Sequence, residues 1–149
     1  MTLTRTTSLL LSLLLSCNSV FASCTKSGVE RILSRDGFSF EFSSEEDGSF
    51  GYILSKDGGK SLLIIDGDDG DISLRDFISG GEMFSYSDLN RVNQKLKYIK
   101  AYFNPRDDSV VLEMDVPHWG NGCHDSLSKV ISTWFNLLEA VDRNLQENL

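Results

Sequence analysis

Two stretches of the 149-residue chain gather side chains that could do chemistry. Asp66-Gly67-Asp68-Asp69-Gly70-Asp71 sets four carboxylates on a glycine-containing turn, a composition able to hold a hard cation through oxygen ligands. The spacing argues against it. An EF-hand loop wants glycine at its sixth position and glutamate at its twelfth, and counting from Asp66 these are Asp71 and Phe77. Asp and Gly are also what a tight turn selects, because they bond locally and tolerate positive φ, so a solvated hairpin without metal is expected.

The second stretch is Cys123-His124-Asp125, with His118 shortly before it. A thiol, an imidazole and a carboxylate are the parts of a nucleophile-and-base relay. Adjacent residues at a helix start point in different directions, however, and cannot form the hydrogen-bonded chain such a relay needs. Asp125 reads more simply as an N-terminal helix residue favoured by the dipole. The sequence holds no Gly-x-Ser-x-Gly, no His-Glu-x-x-His and no Gly-rich phosphate loop. Its two histidines share one loop, which leaves zinc short of ligands. No catalytic set, metal or cofactor is expected.

The cysteines depend on how the chain is processed. Residues 1–8 carry one cation, Arg5, residues 9–15 are nearly all leucine, and Val20-Phe21-Ala22 is a small-residue cleavage site. That is the form of a secretory signal peptide over residues 1–22, and its apolar run falls far short of the roughly 20 residues of a spanning helix. Cleavage after Ala22 leaves Cys24 and Cys123, about a hundred residues apart, and in an oxidising compartment such a pair reads as one disulfide. Leu14-Leu15-Ser16-Cys17 resembles a bacterial lipobox, so lipidation at Cys17 is the alternative, with anchoring to the envelope. A weaker lipobox ends at Cys24, and lipidation there would exclude the bridge. The expected destination is the periplasm or the medium, with membrane contact only if the chain is lipidated.

Residues 23–149 are enough for a single domain with one core. The formal charge of −8 becomes −9 once Arg5 leaves with the leader, which disfavours nucleic acid and anionic lipid as partners. Lys95-Leu96-Lys97 with Lys100 is too small a cluster to alter this.

The elements that must position these residues alternate in type. Ser27-Gly28-Val29-Glu30 has the form of a capping box and predicts a helix over 27–35. Phe38, Phe40 and Phe42 then alternate with polar residues, the period of a strand with one buried face. Strands are expected at 50–55, at 62–65 in a central place, and at 72–78. A helix over 87–97 follows, capped by Ser85 or Ser87, with Leu89, Val92, Asn93 and Leu96 on one face. Residues 99–103 and 110–116 form a hairpin, with Val110, Leu112 and Met114 on one face and Glu113 and Asp115 on the other. The last helix, 125–145, carries a wide stripe of Leu127, Val130, Ile131, Trp134, Leu138 and Val141 that sheet or partner must cover. Hairpins join most strands, so an α+β domain is expected: a mainly antiparallel sheet flanked by helices, in the order α-β-β-β-β-α-β-β-α.

At Leu89-Asn90-Arg91-Val92-Asn93, Lys100-Ala101-Tyr102-Phe103, Val111-Leu112-Glu113-Met114-Asp115-Val116 and Gly122 the chain resembles the YbjN family of bacterial proteins. The likeness runs over about residues 27–145, and Val92 stands where that family usually has an aromatic ring. The resemblance implies the fold of type III secretion chaperones, a role in sensory transduction regulation, and a structural motif of Asn90, Asn93, Tyr102, Asp115 and Gly122. Read from the residues, Asn90 and Asn93 should bond backbone at a strand edge, since an unpaired buried amide costs about 1–3 kcal/mol, and Asp115 should do the same before the last helix.

The expected function is therefore a non-catalytic exported binding module, chaperone-like or regulatory, using its sheet face, final helix or middle helix on a protein or peptide, with a homodimer as one outcome. The rival is a small envelope hydrolase or ligand-binding protein with its pocket in residues 118–125, between His118 and Asp125.

Overall fold

A computed structural model describes residues 24–67, 69–117 and 126–146. Helix α1 (Lys26–Arg35) leads into four strands, β1 (Ser39–Glu46), β2 (Ser49–Lys56), β3 (Gly59–Ile65) and β4 (Ile72–Ser79). A single 3-10 turn at Gly81–Met83 then precedes α2 (Tyr86–Lys95), β5 (Lys100–Phe103), β6 (Ser109–Val116) and α3 (Leu127–Gln146). The order is the expected one, apart from the added 3-10 turn.

Local chemistry explains the boundaries. Helix α1 is capped by Thr25, whose hydroxyl accepts from the Gly28 N–H at 3.2 Å, rather than by Ser27, which lies inside the helix. The cap thus falls two residues ahead of the one the S-x-x-E pattern predicts: Thr25 has the extended backbone a cap requires. Helix α2 has a full capping box, with the Asp88 N–H donating to the Ser85 hydroxyl and the Ser85 N–H donating back to the Asp88 carboxylate. Between β2 and β3, Asp57 at φ 52° and Gly58 at φ 86° supply the two left-handed residues of a two-residue hairpin.

The six strands form one antiparallel sheet in the order β1-β2-β3-β4-β6-β5. Three hairpins lay down β1 to β4, α2 carries the chain past the growing edge to β5, and β6 returns to fill the gap beside β4. The apolar run of β3 does take a central place. Because side chains alternate, the register puts Tyr52, Leu63, Leu74 and Met114 in one row on one face, and Ile53, Leu62, Arg75 and Glu113 in a row on the other.

All three helices pack on the first face. Val29, Ile32 and Leu33 of α1, Leu89 and Val92 of α2, and Leu127, Ile131, Trp134 and Val141 of α3 join the inward strand residues in one core cluster. The wide stripe of α3 is therefore consumed by the sheet, and Val92 is fully buried rather than displayed on the middle helix. Trp134 is the largest buried side chain, and its indole N–H donates to the Ser61 hydroxyl at 2.9 Å, which leaves neither polar atom stranded.

The open sheet face as candidate functional site

The face opposite the helices carries a connected polar network drawn from three strands. Lys100 and Tyr102 on β5, Glu113 and Asp115 on β6, and Ser73 and Arg75 on β4 all point outward by strand alternation. Two rungs of the register align them: Arg75 opposite Glu113 opposite Lys100, and Ser73 opposite Asp115. The Lys100 ammonium reaches the Asp115 carboxylate at 2.7 Å and Glu113 at 3.4 Å. The Tyr102 hydroxyl donates to Glu113 at 2.7 Å, the Ser73 hydroxyl donates to Asp115 at 2.8 Å, and Arg75 Nε lies 3.3 Å from Glu113.

The titration of these groups follows from their neighbours. Partial burial pushes Asp115 up, but the hydrogen bonds from Lys100 and Ser73 outweigh it and hold the carboxyl below its ordinary range. Asp115 in turn raises Lys100. Burial, then the hydrogen bond to Glu113, raises Tyr102. Exposed ion pairs contribute only about 0–1 kcal/mol each, so the network fixes the orientation of its side chains more than it stabilises the fold.

Beside the network lies apolar surface. Ile53 and Leu62 share the rung of Arg75, and Phe77 stands in a row with Val111 and Tyr102. Val111 is buried beneath that row, whereas Phe77 is 51% exposed and Tyr102 38%. Among the described residues no helix or loop covers this row. A half-exposed aromatic thus stands next to oriented ammonium, guanidinium, hydroxyl and carboxylate groups, an arrangement able to make apolar and charged contacts together.

The expected site residues separate accordingly. Asn93 behaves as read: its amide donates to the Ala101 carbonyl at 3.0 Å and accepts from the Ala101 N–H at 2.7 Å. Asn90, by contrast, is exposed on α2, and among the described residues it makes no bond to a strand edge. Asp115 sits within β6 and bonds side chains of neighbouring strands, not backbone before the last helix. Cys24 is buried at 4% exposure just ahead of α1. Cys17, Gly122, Cys123 and the rival pocket between His118 and Asp125 lie outside the described residues. In the acidic hairpin, the Asp66 carboxylate accepts from the Asp69 N–H at 3.0 Å and the Gly70 N–H donates to the Asp66 carbonyl at 2.8 Å, the local bonding of a turn. Ser73 and Arg75 were missed, because they join the network only through the pairing of β4 with β6.

The fold and its open face define a two-layer α+β domain, one antiparallel sheet with helices on one side. Over residues 25–147 the chain matches the sequence model of YbjN, described as "Putative bacterial sensory transduction regulator", and it belongs to that family. No curated protein and no solved structure matches it.

Proposed function

We propose that the protein is a non-catalytic binding module of regulatory or chaperone-like type, working outside the cytoplasm, which holds a partner polypeptide against the open sheet face. The observation that carries this reading is Phe77, a half-exposed aromatic on a central strand beside the Arg75–Glu113–Lys100–Asp115 network. Membership of a family described as a sensory transduction regulator accords with it. Apolar contact at Phe77 and Leu62 supplies affinity, and the oriented charges supply register and discrimination. The helices offer less: the stripe of α3 and Val92 of α2 are already spent in the core.

The test compares wild type with Phe77→Asp in affinity capture from envelope extracts, with light scattering across a concentration series to detect a second copy as the partner. Loss of a specific captured chain, or of self-association, in the folded variant supports the reading. A variant that captures the same chains as wild type removes the sheet face from the account.

A further inference from the structure

Asp76 is out of place for its position. It sits on β4 in the inward-facing series Ile72, Leu74, Asp76, Ile78, opposite Leu112 of β6. A carboxylate among aliphatic neighbours loses hydration, and its described hydrogen bond is from the adjacent Phe77 N–H at 2.7 Å. Burial pushes its pKa up most, that bond opposes the rise, and Asp142 of α3 adds to it. Asp142 lies near the C-terminal end of α3, where the helix dipole already favours positive charge, and Glu139 precedes it by one turn. The fold thus collects negative charge where desolvation, like-charge repulsion and the dipole all oppose it.

These groups border a cavity of about 230 Å³ between the β2–β3 hairpin, β4 and α3, with Phe135 and Leu138 as its apolar wall. Part of it is already used by an ammonium. Lys56 extends from the end of β2 so that Nζ stands 5.3 Å from the Phe135 ring centroid and 3.8 Å from Glu139. The Lys56 side chain is 42% exposed and that of Glu139 60%, so the pair is loosely held and open to displacement. A cation on an aromatic face beside carboxylates is the arrangement by which proteins hold organic ammonium groups. A metal is the poorer fit: among the described residues no three carboxylate, cysteine or histidine side chains converge to hold an ion.

We infer that this cavity binds a primary alkylammonium group on a flexible chain, its methylenes against Phe135 and Leu138 and its charge between Asp76 and Asp142, with Lys56 as the intrachain occupant that must yield. The ammonium can come from a free diamine or from a lysine side chain of another polypeptide. Nothing in this inference depends on the open sheet face, which lies on the other side of the sheet.

The experiment is a calorimetric titration of the purified protein at low ionic strength, with 1,4-diaminobutane in one arm and a capped Ala-Lys-Ala peptide in the other. Fluorescence of Trp134, read in a Trp119→Phe background, follows the same titration, because its hydrogen-bond partner Ser61 also lines the cavity. Saturable binding to one site is expected, with whichever probe binds more tightly identifying the source. Asp142→Asn should weaken it about fivefold, the scale of one partly exposed charge contact. Lys56→Met should strengthen it about two- to fivefold by removing the competitor. Lys95→Met makes the same change in net charge in the last turn of α2, away from the cavity, and should leave the affinity as it was, and magnesium at matched ionic strength should not displace the probe. The inference is overturned if neither probe saturates, if folded Asp142→Asn binds like wild type, if Lys56→Met and Lys95→Met act alike, or if magnesium competes.

Discussion

Asn93 and Ala101 exchange two hydrogen bonds, amide N–H to carbonyl at 3.0 Å and backbone N–H to amide oxygen at 2.7 Å, so the α2 side chain occupies the place a further strand would take beside β5. β5 is an edge strand, and an edge with free N–H and C=O groups invites pairing with another chain. Asn93 closes that route at its centre and ties α2 to the sheet.

Asn93→Ala should therefore destabilise the fold by about 1–3 kcal/mol, since both Ala101 groups lose a partner. Asn93→Asp should cost more than the Ala101 carbonyl bond alone, because a carboxylate cannot donate and would face that oxygen with charge. Denaturant unfolding of the two variants checks both magnitudes and their order. A loss well under half a kcal/mol in Asn93→Ala would show that the bracket is only decoration.

Asp76 gives a pH signature of definite sign. Its folded pKa is raised, so its contribution to stability is fully present below the unfolded carboxylate value and is lost as pH rises through the folded one. The charged groups that share a cavity with it are Lys56 and Asp57 from the β2–β3 hairpin, Glu139 and Asp142 from α3, Lys60 of β3 and Glu41 of β1. Asp76→Asn keeps an acceptor for the Phe77 N–H and removes the charge. The variant should melt with wild type at acidic pH, below the ordinary carboxylate range, and above it at neutral pH. Equal melting temperatures at neutral pH would contradict the assignment.

Cys24, buried ahead of α1, is expected to be bridged to Cys123, which would close a loop of about 100 residues and contribute up to about 4–5 kcal/mol in the chain-entropy account. A tryptic digest without reductant should yield the linked peptide pair, and reduction should lower the melting temperature. Alkylation of both thiols in unreduced, unfolded protein would refute the bridge.

Processing is expected after Ala22, with Ser23 as the new N-terminus. The intact mass of protein purified from the cell envelope reads this directly. A mass carrying acyl chains from Cys17 would make the protein a tethered one instead.

Much of the fold was legible because local rules and tertiary needs agree. The Phe38-Phe40-Phe42 alternation and the Leu127-to-Val141 stripe each point to one element, and the sheet accepts both. The α1 cap was misread because Thr25 and Ser27 are both good caps, and only the tertiary position of the helix decides between them. The site was less legible for a different reason. Lys100, Tyr102, Glu113 and Asp115 come from one hairpin and could be grouped from sequence, but Ser73 and Arg75 join them only because β6 inserts beside β4, a pairing no local pattern encodes. Asp76 went unread within the strand expected at 72–78, because what surrounds it depends on where α3 lies.

The most direct test of a polypeptide-binding sheet face is site-specific photocrosslinking in the cell envelope, with the photoreactive residue at Phe77 in one strain and at Tyr86 in another. Tyr86 is 76% exposed and lies on α2, on the helix side of the sheet, so it controls for exposure alone. A discrete adduct of defined mass from position 77, absent from position 86, is the result predicted. Adducts from position 86 with none from position 77 would contradict the account.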